Sequence, residues 1–271
     1  MTRQICFDSH IHTEFSFDST ARPGDMLRAA LSAGLSGAAI TDHCEADDPE
    51  LTEDGPVPGD SFAAACKMKE TYAGRLKVLA GIELGQPLFN RAAAERLLNN
   101  FPFDFVLCSL HNLKGAKDFY FLTYDSAENA EKLLTAYFDE VLKIVRWNRF
   151  DSLAHLTYPL RYIEGEAGIK VNISRFDDVI REILKTLAQN GKALEINTSG
   201  LRQKIGRTLP DLPDLKRFKE LGGEYITIGS DAHKPEDVGA GLKRGIELIK
   251  QAGFSCYQYY ENRIPHTIPI E

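Results

Sequence analysis

Seven strand-helix units closed into a distorted α/β barrel are what this sequence predicts, and three observations predict them. Short apolar, β-prone runs alternate with helical stretches about seven times along the 271 residues, the pattern of a parallel sheet with helical crossovers. The successive runs end, on their C-terminal side, in polar residues suited to chemistry, histidines and carboxylates foremost. No linker, low-complexity tract or internal repeat interrupts the alternation, so residues 1–271 read as a single barrel domain. An open doubly wound sheet would string such strand ends along a line too long for one small site. A barrel rings them round one opening, where loops build active sites. Seven units in place of eight imply that this TIM-like barrel is distorted.

Taken in order, the run Ile5-Cys6-Phe7 leads into His10-Ile11-His12, whose two imidazoles share a face if the strand continues to His12. A loop, Glu14 to Thr20, precedes a helix from Pro23 to Ala33, with proline suited to a first turn and Gly34 to a stop. Gly37 to Thr41 is a short strand ending in Asp42-His43. A second helix is expected from Asp60 to Gly74, capped by Asp60 or Ser61. The strand Lys77 to Leu84 carries Glu83 at its end; Asn90 to Asn99 is helical; Phe105 to Leu110 is a buried strand ending at His111. A long helix, Ala127 to Trp147, precedes Ser152-Leu153-Ala154 and His155. A helix from Ser174 to Gln189 then leads to the strand Ala193 to Asn197 and to Thr198-Ser199-Gly200. The last unit has a helix from Leu212 to Leu221, a strand from Tyr225 to Gly229 ending in Ser230-Asp231-Ala232-His233, and a helix from Pro235 to Ala252. A tail with strand character, Cys256 to Ile268, completes the chain.

Composition removes several functional classes. A net charge of −7 provides no basic field to gather phosphates, which argues against long nucleic acids and anionic membranes. No stretch approaches the roughly 18 apolar residues of a membrane span, and Met1 to Gln4 has no apolar signal region. Five cysteines without a CxxC pair suit reduced thiols and a cytoplasmic protein. A small phosphorylated substrate remains possible if cations concentrate positive charge locally. Nothing in the chain fixes an oligomeric state.

Six of the seven histidines, His10, His12, His43, His111, His155 and His233, stand at strand ends, with Asp42, Glu83 and Asp231 beside them and Asp18 in the first loop. Taken singly, His111 or His155 reads as a satisfied semi-buried histidine, Glu83 as an ion-pair partner and Asp231 as a helix cap. Taken together on converging ends, buried carboxylates beside unpaired imidazoles are costly without cations among them. A metal cluster explains all of them at once. His266, in the tail, fits no such position and reads as structural.

These residues resemble a known family. His10-Ile11-His12, Thr41-Asp42-His43, the Glu83 strand end, His111, His155 and Ser230-Asp231-Ala232-His233 resemble the motifs of the PHP (polymerase and histidinol phosphatase) superfamily, and the resemblance spans the chain. It implies a distorted (β/α)7 barrel with two or three divalent ions, zinc, manganese or iron. It further implies that His10, His12, Glu83 and Asp231 hold the first ion, that Glu83 bridges to a second completed by His111 and His155, and that Asp18, His43 and His233 hold a third. Many members have histidine where this chain has Asp18; the harder oxygen favours manganese or iron over zinc there.

Three stretches look like the histidinol-phosphate phosphatase branch: His155 to Tyr162, Glu195 to Arg202, and Tyr260-Glu261-Asn262-Arg263. The first two place Arg161 and Arg202 shortly beyond strand ends, where a guanidinium fork suits phosphate oxygens, with Ser199 as a further donor. The expected activity is hydrolysis of L-histidinol phosphate by metal-activated hydroxide, with a metal-bound water, Asp42 or His233 available to protonate the leaving alcohol. Asp42 could instead orient a ligand histidine. The substrate's amine and imidazole would meet the acidic loop of Glu45, Asp47, Asp48 and Glu50. The alternatives are a phosphoesterase acting on nucleotides or other small esters, and a noncatalytic metal-binding accessory domain.

Overall fold

The computed structural model describes residues 6–47 and 57–271; the expected start of the first strand at Ile5 and the acidic pair Asp48 and Glu50 lie outside them. The barrel wall is made of β1 (Phe7–Ile11), β2 (Gly37–Ile40), β3 (His43–Glu45), β4 (Lys77–Gly85), β5 (Phe105–Ser109), β6 (Ser152–Leu153), β7 (Ala193–Asn197) and β8 (Ile226–Gly229). All pair in parallel in the order β1-β2-β4-β5-β6-β7-β8, with β3 pairing β4 alone. β3 prolongs β2 beyond a break at Thr41-Asp42 and sets His43 level with Glu83. The outer layer is α1 (Pro23–Ala33), α2 (Val57–Thr71), α3 (Arg91–Asn100), α4 (Ala127–Trp147), α5 (Asp177–Gln189), α6 (Leu212–Glu220) and α7 (Leu242–Gln251). This is the nearly closed, distorted (β/α)7 barrel that the alternation implies.

The distortion has a location. Among the described residues, β1 and β8 are joined by the single bridge Ile11–Ala232. The seam closes past the end of β8, where the Asp231 N–H donates to the His10 carbonyl at 2.8 Å and the His12 N–H to the Ala232 carbonyl at 2.9 Å. Asp231 sits at φ 55°, a left-handed conformation that a non-glycine residue adopts at a cost of roughly 1–3 kcal/mol. Asp8, fully buried in β1, fixes this turn by accepting from the Ser230 N–H (2.8 Å), the Ser230 hydroxyl (2.6 Å) and the Gly239 N–H (2.8 Å).

The opposite mouth is plugged. The antiparallel hairpin β9 (Cys256–Glu261) and β10 (Ile264–Pro269) lies across the N-terminal ends of the strands. Tyr259 stacks on Phe7 and Tyr260 on Phe105, while the Ile226 N–H donates to Gln258 at 2.7 Å. His266 stacks on Tyr259 at the hairpin's outer side, away from the other histidines. Between barrel and helices, α4 presents Leu134, Tyr137, Phe138, Val141, Ile144 and Val145 as one buried stripe, each large side chain contributing roughly 1.5–3 kcal/mol.

Most expected elements form, with differences that have local causes. α2 begins at Val57, so neither Asp60 nor Ser61 caps it; the Ser61 hydroxyl donates instead to Asp42 at 2.6 Å. The expected helix from Pro235 is split: Pro235–Asp237 makes one 3-10 turn, and α7 starts only at Leu242, because Gly239 and Gly241 lie between them at φ 75° and 79°. A 3-10 turn, Ile173–Phe176, replaces the first residues of the helix expected from Ser174. Arg161–Glu166, which has no counterpart in the sequence pattern, forms a π-helical turn, a local irregularity that recurs at functional sites. No helix among the described residues is long and apolar enough to cross a membrane.

Candidate metal centre

At the open mouth the strands deliver side chains whose donor atoms converge. His10 and His12 point inward from the end of β1 and Glu83 from β4; Asp231 enters from the seam. His10 Nε2 lies 2.9 Å from His12 Nε2 and 3.2 Å from Glu83 Oε2; His12 Nε2 is 3.4 Å from both Glu83 Oε2 and Asp231 Oδ1. Asp231 Oδ1 stands 3.7 Å from His10 Nε2. The other oxygen of Glu83 faces a second set: Oε1 is 2.9 Å from His155 Nε2 and 3.2 Å from His111 Nε2, and these nitrogens are 3.4 Å apart. Asp18 Oδ2 makes a third, 3.0 Å from His233 Nε2 and 3.6 Å from His43 Nε2. Glu83, His10 and His12 are wholly buried, whereas Asp18 keeps 40% of its side chain exposed.

These donors fit divalent ions. Nitrogens about 2.1 Å from a tetrahedral zinc lie roughly 3.4 Å apart, close to the spacings in the first two sets. Facing imidazole nitrogens at 2.9 Å need a cation or a proton between their lone pairs. Among the described residues, His43 Nδ1, His155 Nδ1 and His233 Nε2 are buried without an aligned hydrogen-bond partner, although His43 Nδ1 stands 3.1 Å from Glu83 Oε2 and 3.2 Å from Glu45 Oε1. His233 Nε2 is close to Asp18 yet not aligned with it, as expected of two atoms aimed at a common point.

With protons as the only cations, the centre is electrostatically divided. Burial disfavours charge on His10, but Glu195, Glu83 and Asp231 carry its pKa well above the ordinary imidazole value. His12, equally buried and beside His233 and His43, is held well below it. Burial opposes ionisation of Glu83 too, yet His10, His43 and His111 keep its carboxyl far below the usual range. At His10 and Glu83 desolvation is therefore outweighed by a cluster of opposite charge, the setting in which perturbed groups mark a functional site.

Behind the converging atoms stands a supporting layer that sequence reading largely missed. Glu195, in the middle of β7, accepts at 2.7 Å from His10 Nδ1 and at 2.9 Å from the His155 N–H, which turns the Nε2 of His10 toward Glu83. Gly229 on β8 permits this, since a Cβ there would overlap His10 and Glu195. Glu45 accepts from His111 Nδ1 at 3.0 Å and, with His111 and His43 overcoming its burial, is held to a pKa of about 2. Both glutamates carry one available signal: an acid within a strand whose neighbours are apolar.

The expected site residues divide into those the structure brings to the mouth and those it does not. Asp42 lies behind it, accepting from the Thr13 N–H (2.5 Å), the Thr13 hydroxyl (2.8 Å), the Ser16 hydroxyl (2.9 Å) and the Ser61 hydroxyl (2.6 Å). Both of its oxygens are occupied by these donors. Ser16, whose hydroxyl is 3.1 Å from His12 Nδ1, links it to that imidazole. Ser199 is buried between Asn197 (2.6 Å) and Arg161 (2.6 Å) and does not line the cavity. Arg202 places its guanidinium on the Ser230 carbonyl at 3.0 Å and Asp237 at 3.2 Å, bracing the seam turn. Asp47 turns to Asn112 at 2.9 Å.

Arg161 does reach the mouth, 3.0 Å from Asp231 Oδ2, with its buried Nε unpartnered. It helps line a cavity of about 480 Å³ together with Asp18, His43, His111, His155, Asp231 and His233. The cavity's far wall is aromatic and acidic: Tyr158, Tyr162, Phe17, Tyr120, Phe121 and Asp118. Asp118 accepts from the Tyr158 hydroxyl at 3.0 Å, and Phe17, Tyr120 and Phe121 are each about two-thirds exposed at the rim. A carboxylate followed by Phe-Tyr-Phe in a loop was the visible sign of this wall.

A family model described as the PHP domain matches residues 8–199. The chain is 30% identical over 264 residues to the probable histidinol-phosphatase of Clostridium acetobutylicum, covering 96% of this chain and 98% of that one. It is also 30% identical over 253 residues to the histidinol-phosphatase of Lactococcus lactis subsp. lactis, with 91% of each chain covered. The crystal structure of the histidinol phosphate phosphatase from Lactococcus lactis subsp. lactis, complexed with zinc, L-histidinol and phosphate, superposes with a TM-score of 0.83 at 26% identity, covering 97% of this chain and 100% of that one. The family match spans well over half the residues and covers β1 from Asp8 onward and all of β2 to β7. By fold, motif and match alike, the chain belongs to the PHP domain family.

Proposed function

We propose that the chain is a metal-dependent phosphomonoesterase that hydrolyses L-histidinol phosphate to L-histidinol and phosphate. What supports this reading most is Glu83, a fully buried carboxylate whose two oxygens face two separate donor sets. His10, His12, Glu83 and Asp231 would hold one ion, Glu83, His111 and His155 a second, and Asp18, His43 and His233 a third. Divalent ions bound there supply Lewis acidity, lowering the pKa of water toward neutrality and offsetting charge on a phosphoryl group.

The chain's own residues do the rest. Glu195 and Glu45 fix the imidazole orientations, and Asp42 does so through Ser16. Arg161 stands at the inner end of the cavity, where its unpartnered Nε can donate to a phosphate oxygen. At the outer end, aromatic faces and the Asp118 carboxylate suit a leaving group that combines an imidazole ring with an ammonium. The leaving oxygen takes its proton at the mouth, where Asp18 and His233 are reached by solvent. The names of the relatives point to the same substrate.

Phosphate release should be measured from L-histidinol phosphate beside adenosine monophosphate, glucose 6-phosphate and p-nitrophenyl phosphate, with metal analysis of the same sample. We expect kcat/KM for L-histidinol phosphate to exceed the others by at least roughly tenfold, and chelation to abolish activity until zinc or manganese returns. A preference for the nucleotide would move the reading to a different small phosphate ester. Bound metal without hydrolysis of any ester would leave a binding domain.

A further inference from the structure

Glu45 stands two residues beyond His43 on β3, so both side chains turn to the barrel interior. One of its oxygens, Oε1, lies 3.0 Å from His111 Nδ1 and 3.2 Å from His43 Nδ1. The imidazole of His111 belongs to the donor set with Glu83 and His155; that of His43 belongs to the set with Asp18 and His233. The contact to His111 is a hydrogen bond; that to His43 is a close approach, and His43 Nδ1 also stands 3.1 Å from Glu83 Oε2. One carboxylate oxygen of Glu45 thus stands against imidazoles of two different sets.

This placement is built. Glu45 pairs in register with Gly85 of β4, and a Cβ at position 85 would overlap the Glu45 carboxylate. Gln86, at φ 46° and nearly inaccessible, donates through Nε2 to Glu45 Oε2 and accepts through Oε1 from the His111 N–H at 2.8 Å. A buried non-glycine residue in the left-handed region is held there by its surroundings. Here those surroundings include two hydrogen bonds that lock Glu45 and His111 together.

Resting on the metal reading above, we propose that Glu45 is a positioning residue that couples the second and third ion sites. It holds the His111 ring by a hydrogen bond and the His43 ring by its charge at 3.2 Å, so the two sites gain or lose affinity as a unit. The nearby Glu195 is the comparator, because its side chain touches His10 and the His155 backbone instead.

The test uses the full chain loaded with zinc and challenged with a competing chelator, counting ions per chain by mass spectrometry. Glu45→Gln should release the ions beyond the first together, at chelator activities roughly 10–100-fold lower than wild type. Gly85→Ala should do the same without altering any charge, because the end of a flexible side chain is what its methyl displaces. Glu195→Gln should weaken the ion beside His10 instead. Thermal unfolding of the chelated proteins separates these effects from folding; the coupling predicts little change there for Glu45→Gln. Release of one ion only, or wild-type retention in both Glu45→Gln and Gly85→Ala, overturns the coupling. A wild-type chain that retains no ion overturns the metal reading itself, and the inference with it.

Discussion

Both mouths of the barrel bury carboxylates at strand ends, yet they are built to opposite rules. At the plugged mouth Asp104 accepts from the Ala80 N–H (2.9 Å), the Asn262 N–H (3.2 Å) and Lys69 Nζ (2.9 Å). Asp151 accepts from the Val106 N–H at 2.8 Å and from Arg263 Nε. Every one of these partners is a donor pointing at an acceptor. At the open mouth, acceptors face acceptors, imidazole nitrogens stand 2.9 Å apart, and three buried ring nitrogens have no aligned hydrogen-bond partner among the described residues. A buried acid is therefore no sign of function by itself. What separates the two ends is whether the partners complete one another or leave a charge to be supplied from outside.

Exchanging a residue at each end tests that contrast. Glu83→Ala removes both oxygens that face the first two donor sets, and we expect a loss of at least about 10³-fold in kcat/KM together with loss of bound metal. Retained metal and activity would break the comparison at its centre. At the plugged mouth Asp104→Ala should leave activity per folded molecule and metal content unchanged. It strands two backbone N–H groups and a lysine, which we expect to cost about 3 kcal/mol, read as a fall in Tm on the order of 6–12 °C. A fall in metal content of the same variant would show that the ends are not separable.

The difference between the ends explains which parts of the site were legible in one dimension. A histidine or carboxylate that terminates an apolar run is visible in the sequence, and strand direction then says which mouth it faces; His10, His12, Glu83, His111, His155 and Asp231, which the fold brings to one mouth, stand out this way. Glu195 hides in mid-strand between Leu194 and Ile196, and only the curvature of the wall carries it under His10. Asp118 lies on a loop whose path no periodicity describes. Arg202 and Ser199 show what one dimension conceals: a donor near the rim reads as a phosphate ligand, while the backbone and side-chain partners it also has appear only in the fold. The split ahead of α7 follows from two glycines within three residues, whose cost to a helix an apolar period conceals.

Arg161 belongs to the open mouth but is half satisfied, so it sharpens the contrast with a smaller effect. Arg161→Ala should raise KM for the phosphate ester roughly tenfold and weaken inhibition by inorganic phosphate in parallel, since a charge-assisted contact is worth about 1.5 kcal/mol or more. If KM and phosphate inhibition stay at wild-type values while metal retention falls, Arg161 acts only on Asp231, and the inner end of the cavity needs another anion partner.

Asp214, in the first turn of α6, offers the mildest case: a mostly buried carboxylate that has neither a full set of donors nor a converging set of ligands. Its nearest cation, Arg217, is 3.9 Å away and lies closer to Asp177, at 2.9 Å. Burial raises its pKa to about 6, with Arg217 only partly opposing the shift. The sign follows from the folded form binding the proton more tightly than the unfolded chain, whose value is about 3.9. The stability contributed by the neutral acid is present in full below about pH 4 and is lost as pH rises through 6. Asp214→Asn, which keeps the shape and never ionises, should therefore add on the order of 1 to 2 kcal/mol at pH 8 and close to nothing at pH 4. Denaturant unfolding at the two pH values, with chelator present so that the open mouth carries no ions, reads this directly. An equal gain at both would show that the carboxylate is paired as completely as Asp104, and incomplete pairing would then be confined to the metal centre.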